Sequence, residues 1–174
     1  MNEKNTDFEE IYAAKSYKMV WPADSLPDGL SISFNIKSTE EYTPGRQFTA
    51  IPRKNYFGGF GVRATEPVFH FCDNAVDMLL WYWEVYDFID YDTPTITFLE
   101  IKPIGTIYKN QAPDKTELWQ CGANQIEIVR HTNIKQVAQD ACKEIAQNQD
   151  EIIARYPNHN MVRYIAKIKR IAQK

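Results

Sequence analysis

The stretch Phe69-His70-Phe71-Cys72-Asp73-Asn74-Ala75-Val76-Asp77 limits the fold more than any other part of this sequence. Pro67 to Cys72 is a short apolar, aromatic run of strand type. It ends at Asp73-Asn74, residue types that start helices by accepting a backbone N–H. Beyond them Ala75, Val76, Leu79, Leu80, Trp83 and Tyr86 recur every three or four residues. Met78, Trp81, Tyr82 and Val85 widen that stripe, so a helix buried over much of its girth is predicted. Thr95 to Ile101 then alternates as a half-buried strand does. Strand, helix and strand in that order bring His70, Asp73 and Asp77 to one corner, beside helix N–H groups that could receive an anion. Two readings of that corner compete. Either these three are catalytic groups, or His70 packs structurally, Asp73 or Asn74 caps the helix, and Asp77 is a first-turn acid favoured by the helix dipole. The second is the default reading.

The remaining segments place the corner inside one domain, for which 174 residues suffice. Residues 1–16 form a polar N-terminal extension in which Phe8, Ile11 and Tyr12 are spaced for a short amphipathic helix; residues 17–130 form the core. Strand candidates there are Tyr17–Trp21, Leu30–Phe34, Arg46–Ile51 and Gln125–Arg130. Lys102-Pro103-Ile104-Gly105 leads into Thr106–Tyr108, a candidate hairpin partner before the polar turn Asn110–Asp114. Tyr56-Phe57-Gly58-Gly59-Phe60-Gly61 lacks both GxGxxG spacing and a lysine-serine ending, and reads as a tight turn rather than a nucleotide cradle. From Asn133 the period changes to helical. Ile134, Val137, Ala138, Ala141, Ile145, Ile152 and Tyr156 share a stripe that is interrupted at Gln147–Asp150 and stopped at Tyr156-Pro157-Asn158. Met161, Tyr164, Ile165, Ile168 and Ile171 mark a second helix, and the brief connection predicts an antiparallel pair over residues 131–174, packed on the core. The expected fold is therefore α+β: a single domain with an antiparallel or mixed sheet, one central buried helix and a C-terminal helical hairpin. That hairpin covers a sheet face or edge, or offers its free face to a protein partner.

Several chemistries find no support in the residue pattern. The three cysteines, Cys72, Cys121 and Cys142, have no CxxC spacing and fit free thiols in a reducing cytoplasm. No apolar run reaches the ~18 residues of a membrane span, and residues 1–7 carry no apolar signal core. His70, His131 and His159 lack metal-ligand spacing, so no metal and no cofactor is expected. Cys72 shares a strand face with His70, but two residues at that spacing seldom make a nucleophile–base dyad without a third group. The net charge of −3 conceals an asymmetry: residues 158–174 hold Arg163, Lys167, Lys169, Arg170 and Lys174 with no acid, leaving −8 for the rest. Arg163, Lys167, Lys169 and Arg170 are thus candidates for nucleic-acid contact; the commoner alternative is a solvated face with cations near a helix C-terminus.

Taken in order, Tyr17-Lys18, the turn at Gly29, Arg46-Gln47-Phe48-Thr49, Phe69–Asn74 with Asp77, Phe98–Ile101 with Gly105, Asp114-Lys115 and Ile126–Arg130 resemble a small domain common in phages and prophages. That family carries a glycine-phenylalanine-histidine motif followed by a polar pair, a proline and an aspartate. Here Val68 stands for the glycine and Ala75 for the proline. The likeness spans residues 17–130 and implies a fold without an established activity. It points to a non-enzymatic accessory protein of a mobile element. A more distant likeness is to the ADP-ribosyltransferase fold, through Phe71-Cys72 and Gln125-Ile126-Glu127. It implies Glu127 as a catalytic glutamate for an NAD- or nucleotide-using transferase, with a serine-threonine-serine signature missing.

Overall fold

The computed structural model describes residues 13–20, 42–50, 64–86, 97–109 and 118–174. The elements expected at Phe8–Tyr12, Leu30–Phe34, Tyr56–Gly61 and Asn110–Asp114 lie outside them. Five strands and three helices are present among these residues. They are β1 (Ser16–Val20), β2 (Gln47–Thr49), β3 (Phe69–Phe71), α1 (Ala75–Tyr86), β4 (Thr97–Lys109), β5 (Cys121–Thr132), α2 (Ile134–Arg155) and α3 (Met161–Gln173).

The two long strands β4 and β5 pair antiparallel and form the spine of the sheet. β1 joins the outer side of β4, while β2 and β3 share the far side of β5 end to end, β2 along Gln125–Glu127 and β3 along Cys121–Ala123. Every pairing is antiparallel. The sheet also curls back on itself: Tyr17 N donates to Cys72 O at 2.8 Å and Cys72 N to Tyr17 O at 2.9 Å, joining β1 to the residue after β3. The alternation along each strand therefore separates two cores. Phe69, Phe71, Leu99, Ile101, Ile126 and Ile128 fill the cluster on one face. Tyr17, Cys72 and Phe98 point to the other, where α1, α2 and α3 cover them.

One strand departs from expectation. Lys102–Gly105 is expected to lead into a separate hairpin partner at Thr106–Tyr108, yet β4 runs unbroken through both. Pro103 lacks an N–H, but β1 ends opposite Ile101, so at Pro103 only the β5 side has a ladder to keep. Two residues on, the register slips between Ile104 and Ile107 at Gly105, whose φ of 70° is natural for glycine alone. Thr106 N there donates to Asn124 Oδ1 at 2.9 Å.

α1 packs on β1 and α2, and α2 on α3. Asn133 caps α2 by accepting from Gln136 N at 2.9 Å, and Asn160 caps α3 by accepting from Arg163 N at 3.1 Å. The polar run inside α2 is a kink, with Asn148 at φ −140° and ψ 37°. Gln139 Nε2 donates to Ala172 O at 3.3 Å, tying the start of α2 to the end of α3.

Two glycine substitutions separate backbone strain from crowding. A Cβ at Gly105 would sit 2.3 Å from Asn124 Oδ1, whereas at Gly45, with φ 80°, nothing lies within 4 Å. Gly45→Ala is expected to cost about 1 kcal/mol of unfolding free energy and Gly105→Ala about 2–3 kcal/mol, since only the latter adds a displaced hydrogen-bond acceptor to the strain. Urea unfolding of both variants measures the difference; equal losses would mean that the bulge yields freely.

Candidate functional site

The sequence-predicted corner is built as a helix start whose donors are all claimed by the protein itself. Asn74, rather than Asp73, is the cap: its Oδ1 accepts from Asp77 N at 2.8 Å, and its Nδ2 donates to Asp77 Oδ2 at 2.7 Å. The two preceding N–H groups, of Ala75 and Val76, donate to the two oxygens of Glu144, at 2.8 and 3.1 Å. A carboxyl group does sit at the α1 N-terminus, accepting its first donors, but it is a side chain of α2.

Asp77 is likewise enclosed. It is 2% exposed; Arg155 Nη2 donates to its Oδ2 at 2.6 Å and the Tyr156 hydroxyl donates to its Oδ1. Burial pushes the Asp77 carboxyl up, against the opposing pull of the Arg155 guanidinium. Burial together with the neighbouring Asp77 charge pushes the Tyr156 hydroxyl far up, so that it stays a donor. Arg155 also lies over the Trp119 ring, 5.2 Å from its centroid. One turn from Glu144, the fully buried Asp140 accepts from the Tyr17 hydroxyl and pairs with Lys15 at 3.2 Å and Lys143 at 3.4 Å. Burial raises the Asp140 carboxyl, but the hydrogen bonds from Tyr17 and Lys15 outweigh it and hold it below the ordinary value. Among the described residues Glu144 pairs with no cation. Burial lifts it from 4.5 to about 7, against the two backbone donors and with the repulsion of Asp77 and Asp140.

The other expected residues are dispersed. His70 is buried in the middle of β3, and its carbonyl accepts from Lys18 Nζ at 3.1 Å. Asp73 is part-exposed and meets Lys109 at 3.7 Å, a solvated pair of little energetic weight. Glu127 accepts from Gln47 Nε2 at 3.2 Å. His70 pairs with Gly122, five residues along β5 from Glu127, a separation of roughly 16 Å at ~3.3 Å per residue. His70 and Asp77 share the corner, and Glu127 does not join them.

Of the basic candidates, Arg163, Lys167 and Arg170 line one depression of about 880 Å3 on α3, with Glu84 of α1, His159 and Tyr164. Lys167 Nζ lies 4.2 Å from the centroid of Trp83, which stacks on Tyr164 at 5.7 Å. Lys169 falls elsewhere, near Cys142, whose thiol burial pushes up against the pull of that lysine. Among the described residues no cluster of His, Cys, Asp and Glu could hold a metal ion, and no helix is long and apolar enough to cross a membrane.

Sequence reasoning overlooked Asp140, Glu144, Arg155 and Tyr17. A signal existed for the two acids. Asp140 and Glu144 stand three and seven residues after Val137, on the apolar stripe of α2, where a carboxylate must find donors.

These contacts make stability depend on Glu144. Glu144→Ala strands two buried N–H groups and is expected to cost about 2–4 kcal/mol. The folded protein holds the Glu144 proton up to about pH 7, while the unfolded glutamate releases it near 4.5. This contribution is full below pH 4.5 and is lost as pH rises through 7, about 3 kcal/mol for a shift of that size. Denaturant unfolding between pH 5 and 8 should show stability falling for the native protein and a flatter profile for Glu144→Gln; parallel profiles would remove Glu144 as the cause. Compared with protein families, curated proteins and solved structures, the chain matched none.

Proposed function

We propose that this is a non-enzymatic accessory protein of a phage or other mobile element, acting in the cytoplasm by binding an anionic partner through the α2–α3 hairpin. The observation that carries this reading is how the charges are used. The anion seat at the α1 N-terminus is filled by Glu144, and Asp77 is enclosed by Arg155, Tyr156 and Asn74. Arg163, Lys167 and Arg170 instead surround a depression on the outside of the molecule. That none of Cys72, Cys121 and Cys142 is in a disulfide accords with a reducing compartment. The transferase alternative gains no support from the separation of His70 and Glu127, because a single reacting centre needs its groups within a few ångströms.

Retention on a heparin column tests the surface. The native protein is expected to elute at clearly higher salt than Arg163→Glu/Arg170→Glu, since each phosphate- or sulfate-pairing cation contributes to the salt dependence. Incubation with NAD should release no nicotinamide, and Glu127→Gln should elute with the native protein. Identical elution of the charge-reversed protein, or NAD cleavage abolished by Glu127→Gln, overturns the reading.

A further inference from the structure

We infer that the depression on α3 seats one nucleotide of a single-stranded nucleic acid, with phosphates on Arg163, Lys167 and Arg170 and the donor edge of the base on Glu84. This rests on the reading of the hairpin as the binding surface and names its ligand. Arg163, Lys167 and Arg170 are spaced four and three residues apart, which sets them along one face of α3. Lys174 continues that line, and at ~1.5 Å per residue the four cations extend over about 16 Å, longer than the phosphate of one mononucleotide requires and suited to a backbone that runs on.

Charge alone would fit any polyanion; Glu84 narrows the choice. It lines the same depression as the three cations and forms no ion pair among the described residues. An acidic peptide or a sulfated glycan offers that carboxylate single backbone N–H or hydroxyl donors, not a fixed adjacent pair. A nucleobase brings N–H donors to it, and guanine does so best, because its N1–H and N2 amine lie side by side and match two carboxylate oxygens. Those donors are on the pairing edge, which a duplex hides, so the strand must be single. The wall of the depression also holds two rings already set by the protein, Tyr164 stacked on Trp83 and His159 edge to face with Tyr156. His159 Nδ1 is buried and has no hydrogen-bond partner among the described residues. The volume, about 880 Å3, is within the range of sites that enclose a small ligand. Lys167 is held over Trp83, so one of the phosphate-facing groups stands on the packed core.

Fluorescence anisotropy with labelled thymidine oligonucleotides about twelve residues long, within the usual site size, tests the assignment when the central base is dG, dI or dT. The dG oligonucleotide should bind roughly tenfold more tightly than either dI or dT, as expected for two hydrogen bonds to a charged acceptor against one, since inosine N1–H and thymine N3–H are single donors. Arg163→Gln/Arg170→Gln should weaken all three and lower the slope of log K against log salt by about 1.4, at ~0.7 per lost phosphate contact on a single strand. Glu84→Gln should erase the dG preference and leave that slope unchanged. Equal competition by poly-glutamate, or a Glu84→Gln variant that binds every oligonucleotide more tightly by the same factor, overturns the proposal. Heparin retention that depends on Arg163 and Arg170, without saturable binding of any single strand, defeats the nucleotide assignment and leaves the binding surface standing.

Discussion

The carboxylate of Glu144 against the first two N–H groups of α1 is the contact on which the arrangement of this molecule depends. The donors at a helix start have no partner within the helix, and α1 begins in the interior, with Ala75 and Val76 buried. Water cannot serve them there. Asn74 can reach only one, the N–H of Asp77, so the rest must be met by another element. α2 meets them, and thereby fixes both its distance from α1 and its rotation about its own axis. Two further polar contacts secure the same face of the hairpin: Asp140 to the Tyr17 hydroxyl on β1, and Asp77 to Arg155 and Tyr156 at the end of α2. Apolar stripes alone would tolerate sliding along the helix; three directional contacts spread from Asp140 to Tyr156 do not.

The same arrangement accounts for how a chain of net charge −3 presents a basic face. The two acids of the first half of α2, Asp140 and Glu144, are turned inward, where they hold the core together and are removed from the surface field. The cations of α3 are left outside, with Arg163 and Arg170 exposed beside the depression. α1 profits at both ends. Its last turn has no basic residue of its own, yet Lys167 of α3 lies against Trp83 in that turn, as Glu144 of α2 lies against the first. The two ends of the helix are thus met by an acid and a cation that are distant in sequence.

Much of the scaffold was legible because it follows from local rules. The Phe69–Phe71 strand, the polar pair after it and the helix from Ala75 emerged where period and capping chemistry put them, and the helical pair broke and turned at Asn148 and at Tyr156–Asn160 as the polar run and Pro157 required. The run through Pro103 and Gly105 was misread, because a proline is tolerated once its side of the strand has no neighbour, and that depends on where β1 stops. The corner was read halfway. Its donors were expected to be open to an anion, but Glu144 takes them, through a contact between positions 75 and 144. No window of sequence contains both. Glu127 was picked out by a triplet motif, and the register shows the limit of such motifs, since a triplet says nothing about which end of a strand lies near which corner.

The direction in which the polar groups face also decides where chemistry or binding can take place. A carboxylate that accepts from Arg155, Tyr156 and Asn74 and is 2% exposed has its lone pairs committed, and a ligand would have to break those bonds before gaining its own. On α3 the order of costs is reversed. Its backbone is already set by the Asn160 cap and by burial of Met161, Ile165 and Ile168, and Trp83 holds Tyr164 and Lys167 in place from beneath. The backbone under the cations is therefore fixed by the core and Lys167 is held over Trp83, while the exposed side chains of Arg163 and Arg170 reach outward from it. The buried acids thus serve the rigidity of the fold, and the exposed cations stand on a helix whose backbone that rigidity already sets.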